Sequence, residues 1–137
     1  MQSQCEYTPA FQTAADELIR QKIKLVLQDH HQPEVANDRR YDVREPFPYP
    51  IHITPVGADG VAHTDETFVV LGKHLSERGV DFYYEAPIPH RRVIASLAYA
   101  DGQWLGVLLD LRWCRSNKHG WYENGGRFLQ VVDSPVS

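Results

Sequence analysis

Residues 93–113 read VIASLAYADGQWLGVLLDLRW, and their pattern decides the fold. Val93, Ala95, Leu97 and Tyr99 are apolar at every second position, and the same period returns at Val107, Leu109, Leu111 and Trp113. A period of two puts alternate side chains on opposite faces of a strand, so each run presents one apolar face. Between the runs stands Asp101-Gly102. An Asp-Gly pair takes positive φ at both central positions of a tight hairpin turn. The stretch is therefore expected to be two antiparallel strands.

The same logic extends in both directions. Val80, Phe82 and Tyr84 alternate in an earlier strand, and TFVVL at 67–71 makes another, preceded by a turn in VGADGVAH at 56–63. Before that turn, Phe47, Tyr49, Ile51 and Ile53 alternate with Pro48, Pro50, His52 and Thr54. Proline has no N–H for a ladder, which places this strand at a sheet edge or at a mouth. Downstream, YENGGR at 122–127 reads as a turn leading into FLQVV at 128–132. About six strands joined by hairpin signals, with no crossover helices, predict a mainly-β antiparallel sandwich or small closed barrel.

Residues 8–31 predict one helix. Thr8 suits the N-cap and Pro9 the first helical position. Phe11, Ala14, Ala15, Leu18, Ile19, Ile23, Val26 and Leu27 form an apolar stripe, and Pro33 ends the helix. Such a stripe must be buried somewhere, by capping the barrel, extending it or forming a homodimer. The expected division is helix and linker at 1–37 and barrel at 38–137.

Composition narrows the function. The chain has 137 residues, 42% apolar and 23% charged, which fits one domain with a sizeable core. Its net charge of −4 opposes a broad surface for DNA or RNA. Two scattered cysteines, no leader-like start and no long apolar run predict a cytoplasmic protein with no membrane partner. The seven histidines show no metal-ligand spacing. There is no nucleophile elbow and no Gly-rich phosphate loop, so neither an enzyme nor a cofactor is expected.

What composition leaves open is a small anionic ligand. DRRYDVREPF at 38–47 places Arg39, Arg40 and Arg44 within six residues. The guanidinium fork donates paired hydrogen bonds to phosphate, meets the O6/N7 edge of guanine and stacks on bases. Further on, GKHLSERGVDF at 72–82 carries Ser76-x-x-Gly79 between two expected strands. Gly79 is expected at a turn or bulge with positive φ, and Ser76 offers a hydroxyl at the rim.

Together these residues resemble the PilZ family, bacterial receptor modules for cyclic di-GMP. The family carries R-x-x-x-R ahead of its first strand, matched here by Arg40 and Arg44. It carries [D/N]-x-S-x-x-G about thirty residues later, matched by His74, Ser76 and Gly79, with histidine in place of the acid or amide. VDFYYEAPIPHRRVIASL, LLDLRWCR and WYENGGRFLQV resemble its later strands, so the likeness covers residues 38–132. It implies a six-stranded antiparallel β-barrel that binds cyclic di-GMP through Arg39, Arg40, Arg44, His74, Ser76 and Gly79. The Arg-rich segment would order over the ligand and signal to a downstream protein. The alternative is a domain that has lost the nucleotide and serves protein interaction or dimerisation. Histidine cannot offer the paired acceptors of a carboxylate to guanine N1–H and N2–H.

Overall fold

The computed structural model describes residues 9–30 and 44–137, with the helix side chains from residue 14 onward. A helix, α1 (Pro9–Asp29), precedes seven strands: β1 (Glu45–Pro46), β2 (Pro50–Val56), β3 (Phe68–Leu75), β4 (Gly79–Tyr84), β5 (Arg92–Tyr99), β6 (Gln103–Ser116) and β7 (Tyr122–Val132). Neighbours run β3-β2-β5-β6-β7-β4, and β4 pairs back onto β3, so these six strands close an antiparallel barrel. The two-residue β1 continues β2 along the same edge of β3.

The break between β1 and β2 follows from the prolines. Phe47 N–H bonds the Lys73 carbonyl, the chain bends at Pro48, and Gly72 N–H then bonds the Tyr49 carbonyl. A Cβ on Gly72 would overlap the Phe47 carbonyl, so only glycine lets the bend lie this close to β3. β2 itself is not an edge, because β3 flanks residues 50–53 and β5 flanks 52–56. Pro50 has a ladder partner only on β3 and Pro55 only on β5, so neither removes a two-sided ladder position.

Ile51, Ile53, Val93, Ala95, Leu97, Val107 and Leu109 are fully buried inside the barrel with Phe47, Leu75 and Phe82. Ile19, Ile23, Val26 and Leu27, at i, i+4, i+7 and i+8 on α1, enter the same core. Burial of each contributes about 1.5–3 kcal/mol. The stripe thus caps the barrel, packing on β5, β6 and β7. Arg20 Nε reaches Glu77 in the β3–β4 loop at 3.0 Å, and the His30 ring packs on Phe47 and Tyr49. The expected stripe is narrower than its apolar residues: Ala14, Ala15 and Leu18 are exposed, and Leu18 and Leu25 remain 44% accessible. Thr8 and Pro33 lie outside the described residues.

Two expected turns are corrected. At Tyr99–Gln103 the positive-φ residues are Ala100 and Gly102, flanking Asp101, so the loop has three residues rather than a central Asp-Gly pair. YENGGR is not a turn but the first half of β7. The true turn is Asn117–Trp121, where Gly120 takes φ 84° and Asn117 Oδ1 accepts the His119 and Trp121 N–H groups. Gly125 and Gly126 instead admit close neighbours: Cβ atoms there would overlap the Trp113 indole and the Asp110 carbonyl. No helix among the described residues is long and apolar enough to cross a membrane.

Candidate functional site

The site is built on the outer wall. Phe82 and Val80 point into the barrel, so Asp81 between them points out. It pairs with His74 across β3 and with Gly125 across β7. Trp113 on β6 pairs with Gly125 from the other side, and its indole lies over that glycine. A shallow cavity of about 230 Å³ results, lined by Arg44, His74, Ser76, Arg78, Gly79, Val80, Asp81, Trp113, Gly126 and Arg127. Arg44, His74, Ser76 and Gly79, far apart in sequence, therefore share one wall. Arg39 and Arg40 lie outside the described residues.

Arg44, His74 and Ser76 each have a defined local role. His74 follows a bulge at Lys73, where the β3–β4 register shifts. Its backbone N–H donates to Asp81 Oδ1 at 2.8 Å. Its ring Nδ1 is buried 3.4 Å from the same oxygen without forming a hydrogen bond. Arg44 Nη2 donates to Asp81 Oδ2. Ser76 Oγ accepts the Arg78 and Gly79 N–H groups, each at 3.2 Å, while Ser76 N–H donates to the Gly79 carbonyl at 2.9 Å. The hydroxyl thus shapes the loop and is buried rather than displayed at the rim.

Gly79 corrects the expectation of positive φ, which among glycines falls only on Gly60, Gly102 and Gly120. It is small for another reason. A Cβ would overlap the Gly126 carbonyl where β4 meets β7. S-x-x-G here is a loop closed by serine and sealed by a close strand approach.

Electrostatically, three arginines face one carboxylate. Arg78 and Arg127 are exposed and form no ion pair among the described residues, whereas Arg44 is partnered. Arg115 stacks on Trp113 with its guanidinium 4.7 Å from the ring centroid. Below Trp113, Lys73 Nζ donates to Glu123 at 2.8 Å, which raises the lysine pKa and lowers that of the glutamate. The wall can accept an anionic group at the arginines, and a flat aromatic group against Trp113 where it takes the place of the stacked Arg115. Asp81 adds a buried acceptor between them.

Sequence reasoning missed Arg78, Asp81, Trp113 and Arg127. Arg78 lies inside the quoted motif. The alternation Val80, Phe82 already turned Asp81 outward beside it. The period of two put Trp113 on the same face as Val107 and Leu109, and the structure corrects this: the register shift between Leu111 and Trp113 turns the indole to the outer wall. Arg127 carried no local signal, because only barrel closure brings β7 beside β4.

No family model and no curated protein matches the chain. Among solved structures, it is similar to the Bacillus subtilis inhibitor of motility MotI/DgrA, with 12% identity and a TM-score of 0.48, over 69% of this chain and 44% of that one. It is also similar to K. pneumonia MrkH in its apo state, with 15% identity and a TM-score of 0.45, over 68% of this chain and 45% of that one. The match thus spans under half the length of either protein.

Proposed function

We propose that this chain is a PilZ-like receptor for cyclic di-GMP that acts through a partner protein. The observation that carries this reading is the convergence of Arg44, Arg78, Arg127 and Trp113 on one concavity at the end of the 38–44 segment. Arginines suit the two phosphates and the O6/N7 edges of guanine, and Trp113 suits a base face. At about 230 Å³ the cavity is below the range that encloses a drug-sized ligand. It would seat one guanylate half, and the segment with Arg39 and Arg40 would cover the rest.

Asp81 supplies what His74 lacks. A carboxylate has about four acceptor positions, and the described bonds use one from His74 N–H and one from Arg44. A ligand phosphate that drew Arg44 away would uncover Asp81 Oδ2 for the guanine N1–H and N2–H donors. His74 would then position Asp81 through its backbone and leave its ring beside the base. Ser76 and Gly79 would act by holding the loop, and no bond is made or broken.

The Arg44–Asp81 pair also favours a second reading. An arginine already neutralised by a buried carboxylate needs no ligand, and the domain would then be a nucleotide-free interaction module. Leu18 and Leu25 on α1 would be its self-association surface. Isothermal titration with cyclic di-GMP separates the two, with GTP and the Arg40→Ala/Arg44→Ala variant as controls. Saturable heat lost in the variant supports the receptor. Flat heat from folded protein leaves the interaction module.

A further inference from the structure

A second arginine cluster lies beyond the cavity. Asp110 on β6 pairs with Arg92 on β5 and with Arg127 on β7, so all three side chains share the outer face. Its side chain is only 4% exposed. Oδ1 accepts from Arg91 Nε at 2.7 Å and Arg92 Nε at 3.3 Å. Oδ2 accepts from Arg112 Nε at 2.9 Å and Arg91 Nη2 at 3.4 Å. These bonds, Arg91 first, hold the Asp110 carboxyl down at about 2 against desolvation.

One guanidinium suffices to neutralise one carboxylate, and here there are three. All stay open to solvent, at 71, 50 and 50% side-chain exposure for Arg91, Arg92 and Arg112. Arg92 and Arg112 spend their Nε groups on Asp110, and their terminal nitrogens take no part in these bonds. That end-on fork is the geometry that meets a carboxylate with two parallel hydrogen bonds. The cavity stops at Arg127 and does not reach these three residues.

We propose that Arg91, Arg92 and Arg112, organised by Asp110, form a docking surface for an acidic segment of a partner protein. The Nε groups of Arg91, Arg92 and Arg112 all lie within 3.3 Å of one carboxylate. Acidic side chains two residues apart on an extended segment share a face about 7 Å apart, so a pair of them can meet two of these forks together. A long polyanion is disfavoured, because a net charge of −4 opposes it beyond a patch of this size. Asp110 acts here as a positioning residue.

The test measures binding of a fluorescent oligoglutamate peptide to the full chain. Oligoglutamine, inorganic pyrophosphate and oligothymidylate serve as comparisons. Oligoglutamate is expected to bind saturably, and Arg91→Ala/Arg92→Ala/Arg112→Ala to weaken it about tenfold or more. Arg91→Lys/Arg92→Lys/Arg112→Lys keeps the charge and loses the fork. It is expected to bind more weakly than the parent, and it serves alone if the alanine variant does not fold. Asp110→Asn raises the net charge by one yet is expected to weaken binding, because the forks lose their anchor. Equal binding by either triple variant would overturn the proposal. So would tighter binding by Asp110→Asn, or a preference for pyrophosphate or oligothymidylate over the peptide.

Discussion

Asp81 and Asp110 make an informative pair. Each side chain is 4% exposed, each points outward from a strand whose neighbours fill the core, and each is covered by arginine. Asp110 has three guanidiniums and lies beneath side chains that reach into open solvent. Asp81 has one, from a residue at the end of the Arg-rich segment, and lies in the wall of a cavity. The same unit, a buried carboxylate under arginine, stands in two settings. Three arginines on Asp110 suit the fixed positive surface proposed for docking. A single arginine on Asp81, in a concavity, suits the change of partner proposed for ligand binding.

The largest effect expected is on the wall that separates the two. Gly79→Ala forces a methyl group into the Gly126 carbonyl, so β4 and β7 must part. Chemical denaturation should show a loss of about 3 kcal/mol or an unfolded chain. A change below about 0.5 kcal/mol would mean the close approach is not a constraint. Next comes the exchangeable arginine. Arg40→Ala/Arg44→Ala should weaken cyclic di-GMP binding about a hundredfold, through the loss of charge-assisted hydrogen bonds. Stability should fall by about 1 kcal/mol, because Asp81 loses a partner but keeps His74 N–H. Titration and denaturation of one preparation read both.

Asp81→Asn sharpens the contrast further. It should weaken cyclic di-GMP about tenfold, because an amide oxygen replaces paired acceptors. Tighter binding would mean that Asp81 only competes for Arg44. The smallest effect expected is that of pH on Asp110. Its folded pKa, about 2, is depressed from 3.8. The stability it adds is therefore complete above pH 3.8 and lost as pH falls through about 2. Thermal melts should show Asp110→Asn below the parent at neutral pH, with the gap closing in that acid window. A gap unchanged down to pH 2 would place the effect elsewhere than in the charge.

Much of the barrel was legible because alternation is a local record of burial. Val93 to Leu97 and Val107 to Leu109 are fully or nearly buried where the period requires it. The apolar stripe from Ile19 to Leu27 likewise announced a buried helix face. Legibility failed where glycine had two meanings. Gly125 and Gly126 resemble a turn in the sequence but give Trp113 and the Asp110 carbonyl their room. In the candidate site, Arg44, His74, Ser76 and Gly79 were legible as a motif, while the reasons for Ser76 and Gly79 were not. Both answer to the loop and to β7 rather than to the rim.

The sequence alone determined the strand periods, the helix stripe and the local motifs, because each depends on neighbours a few residues apart. Tertiary structure decided that the strands close into a barrel and that α1 caps it. It also set Asp81 under one guanidinium in a cavity wall and Asp110 under three at the open surface. Those outcomes depend on which strands become neighbours. A carboxylate's role is set by the charges that closure brings within a few ångströms.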